Sequence, residues 1–275
     1  MNKKTFTNKK RKAFSLIELS IVLIIIGLLV AGVTGGASLI KNAELRGIAS
    51  EARGYQTAVN SFFAKYNGLP GDDKTAIGSM LGTITGNTPD GLIQYYNAVS
   101  TYTNFGRSEN NAAWQVLRND NFVTDSFTLT SADSTGATGA GNVAAATTNN
   151  SPNSKSKNGT WAFDSITVNS LPQNVVVISA GVPAITTGAS AAISLNNIVV
   201  NGSSSTPGNS QLLTTDALSI DTKVDDGVPT TGKVSALAGS GTNTCITGSG
   251  TSATYTTNLN SYKACALAFQ VDPNS

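Results

Sequence analysis

An α+β fold, a long N-terminal helix packed on an antiparallel β-sheet head, is what this 275-residue sequence predicts, and three observations predict it. From Phe14 to Ile40 the only charged residue is Glu18. Beyond Ile40, apolar residues recur at alternating steps of three and four as far as Tyr66, which is the period of one helix face. After Pro70 that period gives way to short β-branched runs bounded by Gly, Asn and Pro.

The first element is a basic leader, residues 1–13. Six of the chain's 18 basic residues stand there (Lys3, Lys4, Lys9, Lys10, Arg11 and Lys12) without an acid among them, so the formal charge of +2 belongs to the tail and the remainder is net acidic. Charged residues make up 12% of the chain, roughly half the usual share of about 25%. The polar surface must be carried by Ser, Thr, Asn and Gly, a style at odds with nucleic-acid binding, which needs clustered Lys and Arg against phosphates. The chain has no histidine. That removes Ser-His-Asp and Cys-His nucleophile systems and every zinc site that uses imidazole.

Residues 14–40 follow as a membrane span. At the rise of a helix these 27 residues make about 40 Å, and a bilayer core needs only about 20 residues. The basic flank places the N-terminal end in the cytoplasm and all that follows Ile40 on the other side. A secretory signal peptide would have a shorter apolar region ending in small residues; Gly35 and Ala37 mimic such an end, but the run continues through Leu39 and Ile40. Neither that reading nor a plain anchor explains Glu18, since a carboxylate in a lipid-exposed helix costs roughly 2.5 to 3.5 kcal/mol. It either snorkels to the interface or has a partner.

The residues Ala13-Phe14-Ser15-Leu16-Ile17-Glu18-Leu19, after a basic leader and ahead of a long apolar helix, resemble the prepilin processing motif of type IV pilins and type II secretion pseudopilins. The resemblance implies that a prepilin peptidase of the inner membrane cuts between Ala13 and Phe14 and methylates the new amine. The family usually has Gly before the cut, where this chain has Ala13. It implies further that Glu18 takes the amine of a neighbouring subunit during assembly on an inner-membrane platform. Such a pair would fix the axial register of helices that apolar packing alone leaves free to slide. Many pilus subunits of that family have a Gly followed about eight residues later by a Pro, between which the helix melts; here Gly27 matches the first, and Gly35 stands in place of the second.

Residues 41–68 are the amphipathic continuation of the helix. Leu45, Ile48, Ala52, Tyr55, Val59, Phe62 and Tyr66 form its apolar stripe, and Lys41, Glu44, Arg46, Glu51, Arg53 and Lys65 fall off it as a solvated or lumen-facing surface. Gly68 as C-cap and Pro70 stop it.

Residues 69–275 form the head. A short helix is predicted over Asn111–Asn119 with Ala113, Trp114 and Leu117 on one face; 126–159 reads as a low-complexity surface insertion. Strands are predicted over Trp161–Val168, Asn174–Ser179, Ala191–Val200 and Ala264–Val271, and one face of their sheet covers the helix stripe. Cys245 and Cys265, an even pair in a chain that reads as exported, are expected to form a disulfide. Asp221 to Gly227 invites comparison with a calcium loop and fails it, because Lys223 takes a ligand position and Asp226 stands where Gly is required. The expectation there is a helix capped by Asp216, with Ala217, Ile220 and Val224 on its apolar face, ended by Gly227 ahead of Pro229.

The functional expectation is a filament subunit and not an enzyme. It is a structural subunit of a type IV pilus or of a pilus-like filament for secretion or competence. It would sit in the inner membrane with a periplasmic head, then in a pilus or pseudopilus. Its partners would be the peptidase, other pilin or pseudopilin subunits and the assembly platform, with no metal, cofactor or nucleic acid. The other reading is a minor tip subunit whose enlarged head is an adhesin or substrate-binding module. Acid-pair hydrolysis through Asp72, Asp73, Asp225 or Asp226 ranks last, because adjacent acids of that kind mark turns.

Overall fold

Ser15 opens the first helix, α1 (Leu16–Tyr66), in the computed structural model of the chain, which describes residues 15–72, 84–85, 89–93, 101–102, 109–125, 152–156, 159–168, 171–179, 212–238, 245–248, 250–257 and 263–273. The chain divides into two units, Met1–Ala43 and Glu44–Ser275. In the first, α1 is helical at Gly27, Gly32, Gly35 and Gly36 alike, and its large apolar side chains from Leu16 to Ile40 are all exposed.

In the second unit the stripe on α1 is buried: Leu45, Ile48, Ala52, Tyr55, Ala58, Val59 and Phe62 face the core. The end of the helix differs from expectation. The left-handed residue is Asn67 (φ 55°), with Gly68 behind it, because Asn tolerates that conformation where most side chains do not. Glu51 differs too. Its half-buried carboxylate accepts hydrogen bonds from Trp161 Nε1 (2.7 Å), Ser156 Oγ (2.6 Å), Ser156 N (2.9 Å) and Lys155 N (3.1 Å). Gly47, one turn earlier, makes room: a Cβ there would lie 2.1 Å from Ser156 Oγ. The end of the low-complexity stretch is therefore docked on α1, while 126–151 lies outside the described residues.

Two further helices complete the described core. α2 (Glu109–Asn119) buries Ala113, Trp114 and Leu117 as expected. It ends in a Schellman motif, with Phe122 N donating to Leu117 O (2.9 Å), Asn121 N to Arg118 O (3.0 Å), and Asn121 left-handed at φ 61°. Trp114 meets Tyr55 edge-on with centroids 5.0 Å apart and lies 4.3 Å from Phe163; Tyr55 also meets Trp161 at 5.4 Å. Each such pair adds about 0.5 to 1.5 kcal/mol beyond its buried area. α3 (Thr214–Val224) buries Ala217 and Ile220, but Asp216 is not its cap. The cap position is Leu213, with no side-chain cap bond, and Asp216 lies buried in the first turn.

Short strands β1 (Ile84–Thr85) and β2 (Thr101–Tyr102) pair with each other. The main antiparallel sheet begins with the hairpin β3 (Thr160–Val168) and β4 (Leu171–Ser179). Its central strand is the last one in the chain, β9 (Lys263–Gln270), which pairs β4 from Val175↔Gln270 to Ile178↔Leu267. On its other side β6 (Val234–Ala238) pairs from Val234↔Phe269 to Ala238↔Cys265, and the two-residue β5 (Leu212–Leu213) joins at Cys265. The strand expected over Ala191–Val200 lies outside the described residues. β7 (Ile246–Thr247) pairs β8 (Thr254–Tyr255) within the loop closed by the disulfide Cys245–Cys265, whose Cα atoms are 4.9 Å apart. The architecture is α+β and pilin-like: a long apolar N-terminal helix and an antiparallel sheet in the C-terminal region.

Two outward-facing N–H groups on each of β6 and β3 are engaged by other elements. On β6, Val234 N donates to Asp225 Oδ2 (3.0 Å) and Ala236 N to Pro229 O (2.8 Å). On β3, Trp161 N donates to Pro152 O (2.9 Å) and Phe163 N to Asn110 Oδ1 (2.7 Å). Sheets commonly protect their edges in this way.

Candidate functional site

The first turn of α1 is a capping box. Ser15 Oγ accepts from Ile17 N (3.4 Å), and Glu18, three residues on, reaches back so that Oε2 accepts from Ser15 N at 2.9 Å. This is an S-x-x-E signature that the sequence reading passed over in favour of Glu18 alone. It holds an exposed carboxylate at the N-terminal end of the apolar helix, where the helix dipole also favours negative charge. Ala13 and Phe14 lie outside the described residues. By length and composition α1 is able to cross a membrane.

Asp72, Asp221, Asp225 and Asp226 serve the fold. Asp72 is buried and accepts from Asp90 N (3.1 Å) and Gly91 N (3.0 Å); Asp73 is outside the described residues. In the Asp-Asp-Gly turn, Asp221, Asp225 and Asp226 bring carboxylate oxygens within 4.8 Å of one another. Each is held by protein donors: Asp221 by Tyr255 Oη (2.7 Å) and Gly227 N (3.3 Å), Asp225 by Lys233 N and Val234 N, Asp226 by Thr231 Oγ1 (2.6 Å) and Val228 N (2.8 Å). Burial pushes the Asp221 carboxyl up to about 6; the Tyr255 and Gly227 bonds oppose this, and the charges of Asp226 and Asp225 add to it. Gly232 is needed for this arrangement, since at φ 74° it would place a Cβ 1.8 Å from Asp225 Oδ2.

Calcium requires 6 to 8 oxygen ligands, and carboxylates already engaged by the turn supply it poorly. The thermal midpoint of the purified chain is expected to stay unchanged in millimolar calcium. A rise of several degrees would make the turn a cation site.

A groove of about 640 Å³ opens at the end of α1, bounded by Phe63, Leu69, Leu171 and Pro172, with Asp72 and Asp272 among its polar residues. Asn174 ties its parts together, donating from Nδ2 to Gly91 O (3.0 Å) and to Asp272 Oδ1 (2.7 Å) and accepting from Ile93 N (2.6 Å).

Comparison with known families matches residues 8–34 to the prokaryotic N-terminal methylation motif, the signature of type IV pilins and pseudopilins. The match covers the basic residues Lys9 to Lys12, Ala13, Phe14, the capping box and most of the apolar run. No curated protein and no solved structure matches the chain.

Proposed function

We propose that this chain is a structural subunit of a type IV pilus or of a pilus-like filament for secretion or competence, cleaved before Phe14 and assembled through α1. The carrying observation is the methylation motif at residues 8–34, with Glu18 in the first turn of a helix able to span a membrane. The motif supports a pilin-like or pseudopilin subunit, handled by a prepilin peptidase and assembled with other such subunits. Before assembly the chain is a single-pass inner-membrane protein with a cytoplasmic leader and a periplasmic head. Afterwards α1 lies in the filament, fed in by the membrane platform.

The chemistry of assembly centres on the first turn. Cleavage before Phe14 creates an α-amine with a reference pKa of about 7.7 to 8.0, mostly positive at neutral pH, and N-methylation keeps that charge. The Glu18 carboxylate is held by Ser15 N beside the place where this amine forms, and a neighbour's amine competes for it in the low-dielectric core of a filament.

The mature N-terminal mass tests the reading: an N-methylated chain beginning at Phe14 is expected. An intact Met1, or a start near Ser38, in a host with a working peptidase would refute it. A second test separates cap from charge. Glu18→Gln keeps a residue suited to the capping box and removes the charge. This variant is expected to insert normally and to enter filaments about tenfold less, as for a lost interaction of about 1.4 kcal/mol. Wild-type incorporation would show that the charge is not used.

A further inference from the structure

We propose that Asp221 makes the head pH-sensitive: the folded chain takes up a proton at this carboxyl in mild acid, and the proton tightens the meeting of α3, the Asp-Asp-Gly turn and the disulfide loop. Asp221 is fully buried near the C-terminal end of α3. Its Oδ2 accepts from Tyr255 Oη of β8 at 2.7 Å, and its Oδ1 from Gly227 N of the turn at 3.3 Å. Carboxylate oxygens of Asp221, Asp225 and Asp226 lie within 4.8 Å of one another. One buried acid thus joins three elements, and the turn sets two more negative charges beside it.

Among the described residues the charges that bear on Asp221 are those of Asp226 and Asp225, both negative. Around it, α3 contributes Lys223 and the turn contributes Lys233, and both are exposed. Asp216 is on the first turn of α3, away from this end. β5 and β6 carry no titratable side chain. β9 carries Lys263, whose backbone stands in register with Leu213 at the opposite end of α3. Three carboxylates this close cannot all ionise without cost, and the cost falls on the one without water. With a proton on Asp221, an O–H faces the oxygens of Asp225 and Asp226, so a repulsion becomes a charge-assisted hydrogen bond. Burial first, and these two charges after it, accordingly hold the Asp221 carboxyl at about 6, although the Tyr255 and Gly227 bonds pull the other way.

The sign is the reverse of that for a salt-bridged aspartate. The folded group binds its proton more tightly than the unfolded one, so the stabilisation is present in full below the unfolded value of about 3.9. It is lost as pH rises through about 6. Mild acid therefore strengthens the head at this point. The effect reaches the sheet, because Asp225 accepts from Lys233 N and Val234 N along the side of β6. It reaches the loop closed by Cys245 and Cys265 through Tyr255. The device belongs to the head alone and stands whether or not the chain enters a filament.

Thermal unfolding of the purified full-length chain and of Asp221→Asn, with a chelator present so that no divalent cation stands in for the proton, tests the proposal. Asparagine keeps an acceptor for Tyr255 and, like the protonated acid, donates to a neighbouring carboxylate. Ionisations common to both chains cancel in the comparison. Between about pH 7 and pH 5 the wild-type midpoint is expected to gain about 2 to 4 °C on that of Asp221→Asn. Curves that stay parallel overturn the proposal. Asp226→Asn, at an exposed position, decides the matter if Asp221→Asn does not fold, since it removes one of the two repelling charges. Its midpoint is expected to lie above the wild type's at the higher pH and to lose that lead at the lower. A gap from wild type that is the same at both pH values overturns the proposal.

Discussion

Removing the disulfide by Cys245→Ala with Cys265→Ala is expected to destabilise the head by about 3 kcal/mol, from the loop-closure entropy returned to the unfolded chain. The bridge closes a loop with a sequence separation of 20 and ties β7 to the central strand β9. Both cysteines are fully buried, Cys265 in register with Leu212 and Ala238 on the strands beside it. Alanine is the cleaner replacement because a serine would bury hydroxyls at a further cost of about 1 to 3 kcal/mol each. For a domain of this size 3 kcal/mol corresponds to a fall of about 6 to 12 °C in the thermal midpoint. Unfolding of the purified chain with and without reductant reads the effect. A midpoint that reductant leaves unchanged would show that the surrounding strands hold without the bridge.

Glu51→Ala is expected to cost a similar amount, about 3 kcal/mol, by a different mechanism. The substitution takes the acceptor from four donors, among them the indole of Trp161, whose side chain is fully buried in the core. A buried donor left without a partner costs about 1 to 3 kcal/mol, and bonds to a charged acceptor contribute more than neutral ones. The loss spreads to the neighbouring network: Lys155 Nζ pairs with Asp125 at 2.5 Å, and Asp125 accepts from Tyr55 Oη at 3.2 Å. Burial, with the charges of Asp125 and Glu51 behind it, holds the Tyr55 hydroxyl protonated well beyond its ordinary range, so Tyr55 keeps its proton to donate at every physiological pH. Thermal unfolding measures the loss, and proteolysis near Lys155 is expected to quicken. Gly47→Ala should produce a milder version of the same release, because its methyl collides with Ser156.

Much of this was legible in the residues where a periodic pattern is strong. The stripe from Leu45 to Phe62 is buried on the face its spacing picks out, and Ala113, Trp114 and Leu117 share the buried face of α2. The hairpin strands β3 and β4 and the last strand β9 carry apolar runs that no helix period explains. What escaped notice has a common cause. β6 reads Val-Ser-Ala-Leu-Ala, with one β-branched residue, and is a strand because it pairs with β9 across a large sequence separation. Glu51 falls off the stripe, which points to a solvated or lumen-facing surface, and only the folded chain brings Ser156 and Trp161 to it. Asp216 passed for a cap on residue type, whereas the chain enters α3 directly from β5.

The candidate site shows the same division. Glu18 stood out because a lone carboxylate in an apolar run is costly, yet its local use depends on Ser15 three residues earlier, a spacing readable in advance. The Asp-Asp-Gly-x-Pro turn invites comparison with metal loops by composition, whereas the folded chain uses Asp225 and Pro229 along the side of β6.

That use of Asp225 and Pro229, mirrored by Asn110 and Pro152 on β3, bears on crowding. Heads tethered side by side on a common support experience an effective concentration in the millimolar range or above for as long as the assembly lasts. Under those conditions a bare strand would template its neighbours into cross-β aggregates, which do not come apart on demand. With these N–H groups occupied inside each copy, those stretches of β3 and β6 are closed to a neighbour's strand.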